Sequence, residues 1–127
     1  MELLAPAGGK EQLEYAIRFG ADAVYLACER FGMRQRADNF RLSEIPEVVA
    51  YAHERGVKVH ITCNIVMHDE DIALLPSYLE ALDAAGVDAL IIGDLGALSL
   101  AKRYAPHCAI HVSTQASVSN AEAARVW

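Results

Sequence analysis

Apolar residues fall in short runs along this chain, three of them preceded by an amphipathic stretch that ends in glycine. Gly20-Ala-Asp-Ala-Val-Tyr-Leu26 returns as Gly86-Val-Asp-Ala-Leu-Ile-Ile92, and Glu14 and Glu80 stand six residues ahead of the two copies. In each copy the glycine ends a helix, an acidic residue follows, and the apolar run reads as a buried parallel strand. The same pattern predicts strands over residues 2–5, 23–26, 57–63, 89–92 and 109–112. In the third of these, Lys58, His60 and Thr62 interleave with Val59, Ile61 and Cys63, so one set faces helices and the other does not.

Helices are predicted between the strands. The first covers residues 10–19, with Leu13, Ala16 and Ile17 in helical spacing. The second opens on Ser43 as N-cap with Pro46 in its first turn and stops at Gly56. The third ends at Ala85, and its first turn is marked either by Asp69, Glu70 and Asp71 or by Pro76. The fourth covers residues 95–104, and the fifth begins near Asn120 and runs to Trp127.

Five strand and helix pairs place the chain in the α/β class. They fit about five units of a TIM (β/α)8-like barrel, or an open doubly wound parallel sheet. Even strand spacing favours the barrel, as does the lack of a Gly-x-Gly-x-x-Gly turn after the first strand. A helix ending uncapped at Val126-Trp127 suggests a truncated barrel, a single domain over 1–127 from the amino-terminal part of a longer protein. Open strand edges on such a part-barrel lead to the expectation of a homo-oligomer.

Composition narrows the class further. With 127 residues, 54% of them hydrophobic, the chain can bury a sizeable core. No apolar run approaches the roughly 20 residues of a membrane span, and Met-Glu-Leu-Leu-Ala-Pro lacks a basic signal-peptide start, so a cytoplasmic protein with no membrane partner is expected. Cys28, Cys63 and Cys108 lack zinc-type spacing and read as reduced thiols, fewer than the four thiolates of an iron–sulfur cluster. The net charge of −6 disfavours general coating of nucleic acid, yet Arg30, Arg34, Arg36 and Arg41 form a local basic cluster.

Chemistry in a parallel α/β sheet gathers where strands end, and each such segment has a functional and a structural reading. Ala7, Gly8 and Gly9 before the first helix are either an anion-binding loop or a tight βα turn. After the second strand, Arg34 and Arg36 could clasp phosphate or carboxylate, Phe40 could stack on a base, and Asp38 and Asn39 could orient a ligand, unless the segment is a solvated loop. After the third strand, Asn64 and His68 are catalytic candidates, His68 as a general base or metal ligand unless it is a surface or hydrogen-bonded residue. Asp94 after the fourth strand is a catalytic candidate or a helix cap. Ser113, Thr114 and Gln115 after the fifth could hydrogen-bond a polar ligand or the loop backbone. No residue carries the local pattern of an activated nucleophile, no metal ligand set is evident, and the cysteines read as small buried residues.

Taken together, Glu2-Leu-Leu-Ala-Pro-Ala-Gly8, Gly20 to Leu26, Arg36-Ala-Asp-Asn-Phe40, Asn64 with His68-Asp69-Glu70, Gly86 to Leu90, Asp94-Leu-Gly96 and His111 to Gln115 resemble the amino-terminal part of peptidase family U32, the collagenase-like peptidases. The resemblance implies a TIM-barrel-like domain and a peptidase whose catalytic type is unassigned. It equally implies an RNA-modification protein that hydroxylates a tRNA or rRNA base, or an accessory of ubiquinone hydroxylation. A scaffold fragment without its own activity is the remaining alternative. The partner would be a peptide or an RNA, and an iron–sulfur cluster could sit in the full-length protein, held by cysteines beyond this chain.

Overall fold

The computed structural model describes residues 1–33 and 39–127. Strands β1 (Leu4–Pro6), β2 (Ala23–Ala27), β3 (Lys58–Cys63), β4 (Ala89–Ile92) and β5 (Ala109–Val112) alternate with helices α1 (Lys10–Arg18), α2 (Ile45–His53), α3 (Asp69–Ala84), α4 (Leu95–Tyr104) and α5 (Ala121–Val126). Every neighbouring pair is parallel, and the spatial order β1-β2-β3-β4-β5 is the order along the chain. Consecutive barrel strands follow one another in this way, whereas a doubly wound sheet reverses its order at a switch point. The open doubly wound alternative is thereby set aside.

The repeat seen in the sequence has two structural jobs. Gly20, Gly56 and Gly86 adopt φ of 94°, 70° and 82°, and after each the chain closes the helix with a pair of backbone bonds. Gly56 N–H donates to His53 and Val57 N–H to Ala52, as Gly86 does to Asp83 and Val87 to Leu82. This is the Schellman closure, which needs the left-handed region that glycine enters without strain. The acidic residue that follows ties down the preceding strand. Asp22 Oδ2 accepts from Leu3 N–H, and Asp88 Oδ2 accepts from Val59 N–H, both at 2.7 Å.

The sheet has two unlike faces. Val24, Leu26, Val59, Ile61, Cys63, Leu90 and Ile92 join Leu13, Val48, Val49, Ala52, Leu75, Leu79, Leu82, Leu98 and Ala101 in one hydrophobic core between sheet and helices. Register places Tyr25 beside His60 on the opposite face, and Ala27, Thr62, Ile91 and His111 in a row beyond them. His60 is only 2% exposed, since its ring packs edge-on against His111 with centroids 4.7 Å apart. The small Ala89 opposite His60 on the intervening strand leaves room for that approach.

Most predicted boundaries agree with the elements formed; β1 is shifted from residues 2–5 to Leu4–Pro6, the start of α2 differs, and of the two starts open for α3 the acidic one is formed. Ser43 lies within a single 3-10 turn, Leu42–Glu44, and Glu44 takes the N-cap position of α2. The Arg41 N–H closes that turn by donating to the Glu44 carboxylate at 2.9 Å. Helix α3 starts at Asp69, where the acidic residues meet its positive end, so Pro76 lies inside it. Lacking an N–H, Pro76 leaves the Ile72 carbonyl without its helical donor.

Candidate functional site

The face opposite the helices opens at the carboxyl ends of the strands into a cavity of about 500 Å³. That volume falls within the range of small-ligand sites, about 300–1,000 Å³. Its apolar walls are Leu4, Pro6, Tyr25, Met33, Ile91 and Val112, and its polar groups are Asn39, Thr62, Asn64, Ser113, Thr114 and Gln115. All the described residues that line it are uncharged.

Local backbone geometry sets each polar group. Thr62 is the last cavity-facing position within β3, and its hydroxyl donates to the Leu26 carbonyl at 3.3 Å. Asn64 comes next on that side, and its N–H donates at 2.9 Å to the carbonyl of Phe31, which also accepts from Ile65 at 3.3 Å. Phe31 can present that carbonyl because its φ is 66°, a left-handed conformation strained for so bulky a residue. Such strain costs on the order of 1–3 kcal/mol and persists where surrounding structure enforces it. Here the Phe31 ring is held by burial and by an edge-on contact with Tyr78 at 4.8 Å.

Across the site, Ser113 caps the short turn Thr114–Ala116, its Oγ accepting from Gln115 N–H at 3.4 Å. The Asn64 side-chain amide donates to the same oxygen at 3.2 Å and so joins the end of β3 to the end of β5. Gly93 makes this reach possible, because it ends β4 between them without a side chain. A Cβ there would lie 2.9 Å from the Gln115 Cβ. With both its partners donating, the Ser113 hydroxyl is held as an acceptor, and neither partner is a base that could remove its proton.

The candidates drawn from sequence divide accordingly. Ala7, Gly8, Asn39, Asn64, Ser113, Thr114 and Gln115 come together around the one cavity. Gly9 stands behind it at the start of α1, where its carbonyl accepts from Leu13 N–H as a turn residue would. His68 is exposed at the N-cap of α3 and does not line the cavity. Asp94 caps α4, its carboxylate accepting from Ala97 N–H at 2.9 Å. Phe40, expected to stack on a ligand, is a core residue instead. It is 2% exposed and pinned by backbone bonds to Ala27 and Glu29 that extend the edge of β2. Arg34, Arg36 and Asp38 lie outside the described residues.

Sequence reasoning passed over Tyr25, Thr62, Ile91 and Gly93. Their signal was alternation, since the positions between helix-facing residues at strand ends must face the cavity. The thiols are placed as small core residues. Burial pushes Cys28 up to about 11 and Cys108 to about 12, and pushes Cys63 higher still. Among the described residues no group of three or more His, Cys, Asp or Glu side chains could hold a metal ion, and the thiols present do not fit an iron–sulfur cluster. Nor is any helix among them long and apolar enough to cross a membrane.

The model of peptidase family U32 matches residues 8–127. The chain belongs to peptidase family U32. A tRNA hydroxylation protein P1 of Bacillus subtilis is 43% identical over 99% of this chain, and a collagenase of Porphyromonas gingivalis is 39% identical over 99%. A 23S rRNA 5-hydroxycytidine synthase of Escherichia coli is 38% identical over 98%. The chain spans 30% of the first two relatives and 18% of the third. In structure it is similar to the U32 peptidase Mk0906, with a TM-score of 0.69 at 18% identity over 98% of this chain and 53% of the other. That likeness concerns the fold, and the repeat of helix, glycine and strand is what this family's sequence looks like in three dimensions here.

Proposed function

We propose that this U32 chain contributes the base-binding cavity of an RNA-modification protein, one that hydroxylates a pyrimidine in tRNA or rRNA. The observation that carries the reading is the cavity itself, which is uncharged among its described residues, flanked by Tyr25 and Met33, and edged by fixed hydrogen-bonding groups. Flat apolar walls with a few oriented polar groups suit a splayed-out nucleobase, which stacks on one surface and is read along its edge. Relatives named for tRNA and rRNA hydroxylation support the same assignment.

Within this reading the chain's residues bind and orient. Tyr25 offers a ring face, Asn64 and Thr62 read the ligand's edge, and Gly8 leaves open space at the mouth, where a Cβ would meet nothing within 4 Å. The arginines at 34 and 36 would hold the flanking phosphates. The oxidising chemistry would come from outside this chain, whose thiols are buried in their protonated form. An RNA substrate would put the protein in the cytoplasm, and its TIM-like barrel would be completed by strands outside this chain.

Peptide hydrolysis is the second reading, favoured by the collagenase relative. The two are separated by nucleoside mass spectrometry of total RNA from cells with and without the protein. Loss of one hydroxylated pyrimidine, restored by the wild type, is the expected result. Unchanged RNA together with gelatin cleavage by the purified protein would overturn the proposal.

A further inference from the structure

Helix α1 presents an aromatic pair where a surface helix ordinarily carries polar groups. Leu13 is buried and Ala16 and Ile17 pack against the core, so Glu11, Tyr15 and Arg18, on the opposite side, lie on the outermost face of the helix. Tyr15 and Phe19 stack along that face with centroids 6.2 Å apart, and they are 50% and 77% exposed. Helices that flank α1 in a barrel pack against its sides and leave this face bare. Exposed aromatics grouped beside an arginine have the composition of a contact surface, since Tyr and Arg supply much of the energy of protein interfaces.

The charges on this stripe decide what fits it. Glu11 and Glu14 stand toward its amino end and Arg18 toward its carboxyl end, all three exposed. Among the described residues none of the three forms an ion pair within the chain. A stripe acidic at one end and basic at the other is complementary to itself when turned end for end. Centred between Glu14 and Tyr15, an antiparallel pair sets Arg18 opposite Glu11 of the partner subunit twice over and brings the two Tyr15 rings together at the axis. Antiparallel helices also oppose their dipoles.

We infer that the exposed face of α1 is a dimerisation surface, and that its partner is a second copy of the same chain. This surface is separate from the open strand edges and from the cavity, and it holds whatever the cavity binds. One helix of nine residues covers little of the roughly 800 Å² per partner in a standard interface, so the dimer is concentration-dependent and, resting on exposed charges, sensitive to salt.

Sedimentation equilibrium of the full protein that carries this chain, across concentration and at low and high salt, provides the test. A monomer–dimer equilibrium weakened by salt is expected. Arg18→Glu and Glu11→Arg should each raise the dissociation constant at least about tenfold, because each sets like charges together at two places. The double variant should restore it, since the pair re-forms with its charges exchanged. Both positions are exposed and far from the core, and circular dichroism checks that the fold is kept. A protein that stays monomeric at the highest concentration would overturn the inference. So would a dimer indifferent to either single change, or one that the double variant fails to restore.

Discussion

The Asn64 side-chain amide donates to Ser113 Oγ at 3.2 Å, spanning the end of β4 to link strands that are not neighbours. The bond fixes two sides of the cavity relative to each other and leaves the Asn64 Oδ1 buried. Asn64→Ala should therefore cost about 1 kcal/mol of stability, the net value of such a bond. It should weaken ligand binding as well, because the two sides of the cavity lose the bond that holds them together. Urea denaturation of Asn64→Ala, Ser113→Ala and the double variant would check this. The double variant should lose less than the sum of the single ones, since both remove the same bond.

Close packing at Gly93 and Gly32 yields a sharper structural test. A Cβ at Gly32 would lie 2.7 Å from the Ala27 Cβ, and one at Gly93 would lie 2.9 Å from the Gln115 Cβ. Alanine at either place should destabilise by about 1–3 kcal/mol, as overpacking does. Gly8→Ala, with open space around it, should stay within about 0.5 kcal/mol. Denaturant midpoints for the three variants decide the matter.

All three thiols should resist modification in the folded protein. Desolvation is the first cause of their raised values, and at Cys28 and Cys63 the neighbouring Tyr78 hydroxyl offsets only part of it. At pH 8 a thiol held near 11 or above is almost wholly protonated. Counting thiols with a disulfide reagent should find none of Cys28, Cys63 and Cys108 reacting rapidly before unfolding, and all of them after it.

Stability should rise with pH through two separate windows. Burial first, and then His111, lower the His60 imidazole below its ordinary value, with Lys58 adding to the shift and Glu2 and Asp88 opposing it. The unfolded chain then takes up a proton more readily than the folded one. The contribution is present above about pH 6.5 and lost as pH falls toward the lower folded value. Burial also works against the Asp83 carboxylate. It is outweighed by the His107 ring at 2.8 Å, the His107 N–H at 3.0 Å and Cys108, which hold Asp83 below the usual carboxylate range. That contribution is present above about pH 3.9 and lost below it. His60→Phe should flatten the stability curve below pH 6.5, and Asp83→Asn should flatten only its acid end, as read by urea denaturation across pH.

The repeat around Gly20 and Gly86 made the fold legible, because a glycine at a helix end and an apolar run directly after it leave the chain little choice but to turn back as a strand. Strands β4 and β5 and helix α4 have the bounds expected of them. Parallel strands separated by helices were anticipated from the apolar runs, and asking which residues end strands led to Ala7, Gly8, Asn64 and Ser113, which line one cavity. Phe40 misled because an aromatic in a polar loop looks like a ligand surface, while the backbone bonds that pull it into the core leave no mark in sequence. The Asn64 to Ser113 bond was equally hidden, since it joins residues 49 apart and depends on the missing side chain at Gly93. The role of the acidic residue in the repeat, holding the preceding strand through Leu3 and Val59, emerges only once register is known.

The most direct test of the cavity as an RNA-base site is photochemical cross-linking of the full protein to its RNA, with the linked peptides mapped by mass spectrometry. Cross-links at Tyr25, Met33 or the strand end around Thr62 and Asn64, reduced in Asn64→Ala, are the predicted result. Cross-links confined to the helical side, at Tyr51 or Tyr104, or their absence from a protein that cleaves gelatin, would contradict it.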